Sequence, residues 1–165
     1  MISVQFIEAA DLLEAYVKKI LASRVYALAL ETPTTFAPKL SKQLGIRVSL
    51  TREDMQEIFS FKVRGAYNKL SLLSYQEKKL GVIAASAGNH AQGVAIAARE
   101  LGIAATIVMS HNTPGIKVAA VKDIGAKVIL KGDNYDAAAQ YAKKLSENLG
   151  PVSYTHLTLP TSDLV

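Results

Sequence analysis

From residue 82 onward the chain alternates short apolar runs with amphipathic stretches, and that alternation narrows the fold more than any other feature. Val82-Ile83-Ala84-Ala85, Ala105-Thr106-Ile107-Val108-Met109 and Ala126-Lys127-Val128-Ile129-Leu130 are short and largely apolar. Such runs suit strands that are covered on both faces. The spacing predicts helices between and after them. The first leads from residues 86–93 to Leu101 and is closed by Gly102. The second is opened by Pro114 and ends before Gly125. The third is capped by Asp133 or Asn134 and runs through Leu149 to Gly150. Strands alternating with helices in this way predict an α/β fold, an open parallel sheet with flanking helices and right-handed crossovers.

The chain before residue 82 is less regular. Residues 7–21 carry apolar groups at helical spacing, with Asp11 and Glu14 early and Lys18-Lys19 late, in keeping with a helix dipole. Pro33 and Pro38 rule out a continuous helix beyond that point. Residues 39–44 form a short candidate helix ended by Gly45, and residues 46–50 alternate as a strand closed by Arg52-Glu53-Asp54. Ser60 is the candidate N-cap of a helix that carries Lys62, and residues 74–80 form another helix stopped at Gly81.

Composition removes several function classes. Half of the 165 residues are apolar and a fifth are charged, enough to build a core. There is no cysteine, hence no disulfide framework, thiolate nucleophile or thiolate metal site. The net charge of +5 comes from scattered basic residues that are not interleaved with aromatics, so no nucleic-acid partner is expected. No apolar run approaches the roughly 18 residues of a membrane helix, and no membrane partner is expected. Glu8, Asp11 and Glu14 interrupt any leader-like run, which leads to the expectation of a cytoplasmic protein. His90, His111 and His156 lack metal-ligand spacing, so no metal is expected. No dinucleotide fingerprint or Walker loop occurs, and Ser60 and Ser86 lack an evident base partner.

Two stretches carry candidate chemistry. In Phe59-Ser60-Phe61-Lys62-Val63-Arg64-Gly65-Ala66 a lysine stands among apolar neighbours, with Ile58 just upstream. A poorly solvated lysine is pushed toward its neutral amine, the form that condenses with a carbonyl. A lysine there can also extend its head to water as an ordinary surface residue. In Ser86-Ala87-Gly88-Asn89-His90-Ala91-Gln92-Gly93 small residues follow a strand directly and open a helix. In a parallel sheet that is where ligands bind, and the helix N-terminus offers N–H groups to an anion. A plain strand-to-helix turn with a cap would use similar residues.

Together the two stretches resemble the lysine motif and the substrate-carboxylate loop of the pyridoxal-phosphate enzymes related to tryptophan synthase β chains, the fold type II family. Within it the pattern is most similar to the threonine ammonia-lyases (threonine dehydratases), as Glu31-Thr32-Pro33, Arg52-Glu53-Asp54, residues 105–109, Thr113-Pro114 and Ile116-Lys117 also suggest. The resemblance covers about residues 16–150. It implies that pyridoxal phosphate is the cofactor and that Lys62 holds it as a Schiff base and then takes the substrate's α-proton. It implies that Phe61 packs against the cofactor ring and that Asn89 hydrogen-bonds its phenolic oxygen. Ser86, Ala87, Gly88, Asn89 and His90 would bind the substrate carboxylate. The implied activity is deamination of L-threonine, and of L-serine, to 2-oxo acids and ammonia, within amino-acid metabolism such as isoleucine biosynthesis. A biosynthetic and a catabolic role both stay open. A homo-oligomer is expected when full length. Serine-racemase relatives carry a serine at the position of Ala87, so elimination is favoured over racemisation.

The resemblance also implies what this chain does not contain. The family's glycine-rich phosphate loop and its partner for the pyridine nitrogen have no counterpart in residues 1–165. The expected organisation is residues 1–52 as an incomplete N-terminal part of the large domain and residues 53–150 as the small α/β domain with the substrate loop. Residues 151–165 change composition and resemble translated sequencing-adapter sequence, so they are read as a non-native tail; an edge strand with alternating Val152 and Tyr154 is the other reading. The chain alone is expected to be inactive. Other functions left open are serine racemase, cysteine synthase or threonine synthase chemistry, or a non-enzymatic module that binds small anions.

Overall fold

The computed structural model describes residues 2–148 and 153–154, with side chains over residues 12–148. The chain opens with helix α1 (Ile2–Ala22), longer than the periodicity predicts, and a single 3-10 turn at Val25–Ala27. Leu13, Ile20 and Leu21 of α1 are exposed. Strand β1 (Thr34–Phe36), helix α2 (Pro38–Leu44) and strand β2 (Ser49–Thr51) follow. β1 is a strand that the prolines conceal in the sequence. It pairs antiparallel with β2, and Pro33, unable to donate to a ladder, stands just ahead of it and accepts from the Arg52 N–H at 3.0 Å. β2 is shorter than the predicted strand over 46–50, because Val48 turns aside to bond Ser41 Oγ and the Ala37 N–H.

Helix α3 (Lys62–Ser71) and helix α4 (Tyr75–Leu80) precede the sheet. Ser74 and Glu77 close a reciprocal capping box at the start of α4. The sheet elements are β3 (Val82–Ala85), α5 (Asn89–Glu100), β4 (Ala105–Met109), α6 (Gly115–Ile124), β5 (Lys127–Leu130), α7 (Tyr135–Asn148) and β6 (Ser153–Tyr154). The order is β5-β4-β3-β6 and every pairing is parallel. Asn134 is the residue that caps α7, its Oδ1 accepting from the Ala137 N–H at 2.9 Å. The expected end of that helix at Leu149 and Gly150, and most of the segment read as a non-native tail, lie outside the described residues.

Both faces of the sheet are buried, as a parallel sheet requires. Val82, Ala84, Ile107 and Met109 pack with α3, α5 and Val121 of α6, whereas Ile83 and Val108 face Ala138 and Ala142 of α7. The period-2 alternation within each strand sorts the side chains between the two layers. Among the described residues no helix is long and apolar enough to cross a membrane.

The order of the strands decides where a ligand can sit. From β3 the chain steps outward through β4 to β5, then returns along α7 to place β6 on the other side of β3. β3 is therefore the strand beside which the winding reverses, and a crevice opens at the carboxyl end of a strand in that position. Residues 86–93 leave that end.

Candidate active site

Lys62 is the first residue of α3, and its amine lies 5.0 Å from the centre of the Phe61 ring. Ser60 does not stand in the cap position, which Phe61 occupies. It sits one residue earlier, buried, and its Oγ accepts from the Lys62 backbone N–H at 3.3 Å. The serine still satisfies a donor of the first turn, one position away from where helix-capping preference puts it.

The lysine's surroundings differ from the apolar enclosure that its neighbours suggest. Ile58 and Val63 are buried, but Phe59 is 77% and Phe61 50% exposed, and Lys62 itself is half-buried. Alternation explains this. Gln56, Ile58 and Ser60 point inward and Glu57, Phe59 and Phe61 outward, so the two rings stand on the open side of the lysine. Phe59 has φ 54°, the left-handed region that a bulky residue occupies at a cost of about 1–2 kcal/mol.

The 86–93 segment continues β3 by one rung, with the Ser86 N–H donating to the Val108 carbonyl at 3.1 Å. Ser86 Oγ accepts from the Gly88 N–H at 3.4 Å, and Gly88 then caps α5. Asn89 is exposed, and Ser86, Ala87 and His90 are partly buried. The two motifs meet through Gly93. A Cβ built there would lie 3.0 Å from the Lys62 carbonyl oxygen and 3.5 Å from Ala66 Cβ. The glycine lets α5 approach α3 so closely that the last residue of one motif touches the backbone of the lysine in the other. The lysine helix and the loop after β3 thus form one unit with an amine, an aromatic surface and a helix N-terminus. Such a unit can hold a carbonyl compound and a carboxylate side by side.

The family model described as pyridoxal-phosphate dependent enzyme matches residues 26–161. The chain belongs to that family. It is 55% identical over 135 residues to threonine dehydratase 1 biosynthetic, chloroplastic, of Solanum lycopersicum, covering 82% of this chain and 22% of that relative. To L-threonine dehydratase biosynthetic IlvA of Pasteurella multocida it is 52% identical over 133 residues, 81% of this chain and 26% of the relative. Among solved structures, the processed form of threonine deaminase isoform 2 from Solanum lycopersicum superposes with a TM-score of 0.80 at 51% identity, covering 85% of this chain and 41% of that one. Maize serine racemase superposes with a TM-score of 0.73 at 32% identity, covering 78% and 39%. The chain therefore spans about a quarter of the length of these curated relatives.

Two structural features suit a site for the family's cofactor and for a substrate beside it. The first is the Gly93 contact, which fixes the lysine against the loop. The second is Gly88, whose φ of −125° any residue adopts and whose added Cβ would meet nothing within 4 Å. Neither backbone conformation nor packing within the chain requires a glycine there, whereas a ligand drawn against the loop would.

The sequence reading gave no role to one further group of residues. Glu53 accepts from Arg64 Nε at 2.9 Å and from Arg64 Nη2 at 2.8 Å, from Thr32 Oγ1 at 2.6 Å and from Gln56 Nε2 at 3.2 Å. Gln56, 2% exposed, also pairs with both backbone groups of Leu30. The Arg64 hydrogen bonds outweigh the opposing effect of burial and hold the Glu53 carboxyl down, from 4.5 to about 2. A depressed carboxylate stabilises the fold above its unfolded pKa, and that contribution fades as pH falls from about 4.5 toward 2. The sequence holds a signal for this pair, an acid and an arginine eleven positions apart on either side of Lys62, although Arg52-Glu53-Asp54 on its own suits a strand end.

Proposed function

We propose that the full-length protein carrying this sequence removes water and then ammonia from L-threonine, and from L-serine, to give 2-oxobutanoate and pyruvate. The observation that carries this reading is the Gly93 contact, which joins Lys62 to the 86–93 loop in a chain more than half identical to threonine dehydratases. The biosynthetic names of those relatives favour a place in isoleucine synthesis. The protein is proposed to be cytoplasmic and a homo-oligomer, and residues 1–165 alone to be inactive. The organisation proposed for it remains residues 1–52 in the large domain, 53–150 in the small domain and 151–165 as a non-native tail.

Pyridoxal phosphate, when bound, supplies an electron sink for the charge that develops at the substrate Cα. Lys62 would hold it through Nζ, with the Phe61 ring against the cofactor ring and the Asn89 amide on its phenolic oxygen. Ser86, Ala87, Gly88, Asn89 and His90 would orient the substrate carboxylate at the start of α5, where the helix dipole favours an anion. Once the substrate amine has replaced it, Lys62 Nζ would accept the α-proton. Departure of the β-hydroxyl as water leaves an enamine that hydrolyses to the 2-oxo acid and ammonia. Ala87 has no hydroxyl to act as a second base on the opposite side, which favours elimination over inversion.

Two measurements test this. The purified full-length protein is expected to absorb visibly, and borohydride should fix the cofactor onto Lys62; a colourless protein that binds carboxylates as well with Lys62→Ala would instead be a small-anion module. With L-serine, a chiral assay is expected to show pyruvate forming much faster than D-serine. Rapid L-to-D conversion would make the protein a racemase.

A further inference from the structure

One side of the lysine helix is seated on α5, where Gly93 meets the Lys62 carbonyl. Away from α5, Val63 packs with Ala29 and Ile58, and the carboxylate of Glu53 grips the helix through Arg64. Arg64, two residues beyond the lysine, points away from α5 and donates to both oxygens of Glu53 and, at 2.9 Å, to the Leu30 carbonyl. Its guanidinium also lies 5.2 Å from the centre of the Tyr26 ring. With Thr32 and Gln56 added, Glu53 receives four hydrogen bonds, as many as a carboxylate has lone-pair sites. The donors come from three separate segments: residue 32, residue 56 and the first turn of the lysine helix.

The chain between this carboxylate and the lysine has little freedom. Gln56 is buried and doubly bonded to Leu30, and the Gln56 carbonyl accepts from the Phe59 N–H at 2.8 Å. Phe59 is held at φ 54°, and Ser60 is buried with its Oγ on the Lys62 N–H. A bidentate arginine–carboxylate pair at this depth adds little net stability over apolar packing, but it fixes geometry in two directions. Left-handed backbone at a phenylalanine persists only where its surroundings over-determine it. Both features suit a device for holding a position.

We propose that Glu53 is a positioning residue for the reaction: gripped by Arg64, Thr32 and Gln56, its carboxylate sets the height and rotation of α3, and thereby where the Lys62 amine stands relative to residues 86–93. The proposal rests on the reading of Lys62 as the cofactor lysine. Borohydride labelling of the unsubstituted protein tests that reading separately.

The test uses the full-length holoenzyme with Glu53→Gln, which keeps the shape but sets an amide against the arginine fork. The expected result is a kcat lowered about ten- to hundredfold with KM changed less, since a displacement near 1 Å can cost about a hundredfold. Lys62 should still be labelled, and the visible circular dichroism of the bound cofactor should change in size or sign. Glu53→Asp should recover part of both. A kcat within about twofold of the unsubstituted enzyme and unchanged cofactor dichroism, even with a lower melting midpoint, would make the cluster a support for the fold alone and overturn the proposal. If Glu53→Gln is insoluble, Thr32→Val removes one of the four bonds and leaves the ion pair. A smaller drop in kcat with a dichroism change is then expected, and no change in either overturns the proposal.

Discussion

Lys62→Ala in the full-length protein is expected to abolish the proposed formation of the 2-oxo acid while leaving the fold in place. Under the proposed function two roles vanish with one side chain, attachment of the cofactor and acceptance of the α-proton. The second alone is worth on the order of 10²–10⁴-fold in rate. The fold has little stake in this amine. Among the described residues Lys62 Nζ makes no ion pair or hydrogen bond, and its one ring contact is with half-exposed Phe61. Alanine is also the better helix former at this position. The melting midpoint is therefore expected to move by no more than the equivalent of about 0.5 kcal/mol, as for a surface substitution. Steady-state assays beside thermal melts monitored by circular dichroism check both halves. A variant that keeps more than a tenth of kcat would take the chemistry away from Lys62, and one that fails to fold would make the lysine a structural residue.

Local signals reveal much of this molecule. β3, β4 and the helices around them are recognisable because apolar runs alternate with amphipathic ones and glycines stand where helices end, Gly102 at φ 65° and Gly125 at φ 113° among them. The two motifs are legible for the same reason, since each occupies contiguous residues. What escapes the sequence depends on partners far away along the chain. β1 is three residues between two prolines and exists through pairing with β2, fifteen positions on. Gln56 reads as a surface residue until Leu30, 26 positions earlier, turns out to take both of its amide groups. Those bonds also cross the boundary expected at residue 52, tying residues 30–32 to the lysine helix. The enclosure expected around Lys62 fails for a simpler reason. Hydrophobicity says which side chains are apolar, and only the turns through residues 56–61 decide that Phe59 and Phe61 face outward in this chain.

Gly93→Ala and Gly88→Ala should then separate, although both add one methyl group to the same motif. At Gly93 the new carbon would stand 3.0 Å from the Lys62 carbonyl oxygen and 3.2 Å from its carbonyl carbon. These are backbone atoms of a helix, so no side chain can swing aside, and α3 must retreat by several tenths of an ångström. Overpacking of this kind costs about 1–3 kcal/mol, offset by about 1 kcal/mol because alanine replaces glycine inside a helix. The net loss of stability is modest, but the backbone that moves carries the amine proposed to do the chemistry. A fall in kcat of about ten- to hundredfold is expected, with KM less affected. At Gly88 the methyl enters open space on backbone that alanine adopts freely, so the melting midpoint should not change. If the loop binds the substrate carboxylate, the methyl occupies the surface against which that carboxylate lies, and KM rises while labelling of Lys62 persists. Steady-state kinetics of the two variants at saturating cofactor distinguish the effects. A Gly93→Ala enzyme with unchanged kcat would mean that α3 absorbs the strain without moving its lysine. A Gly88→Ala enzyme with unchanged KM would place the substrate carboxylate elsewhere.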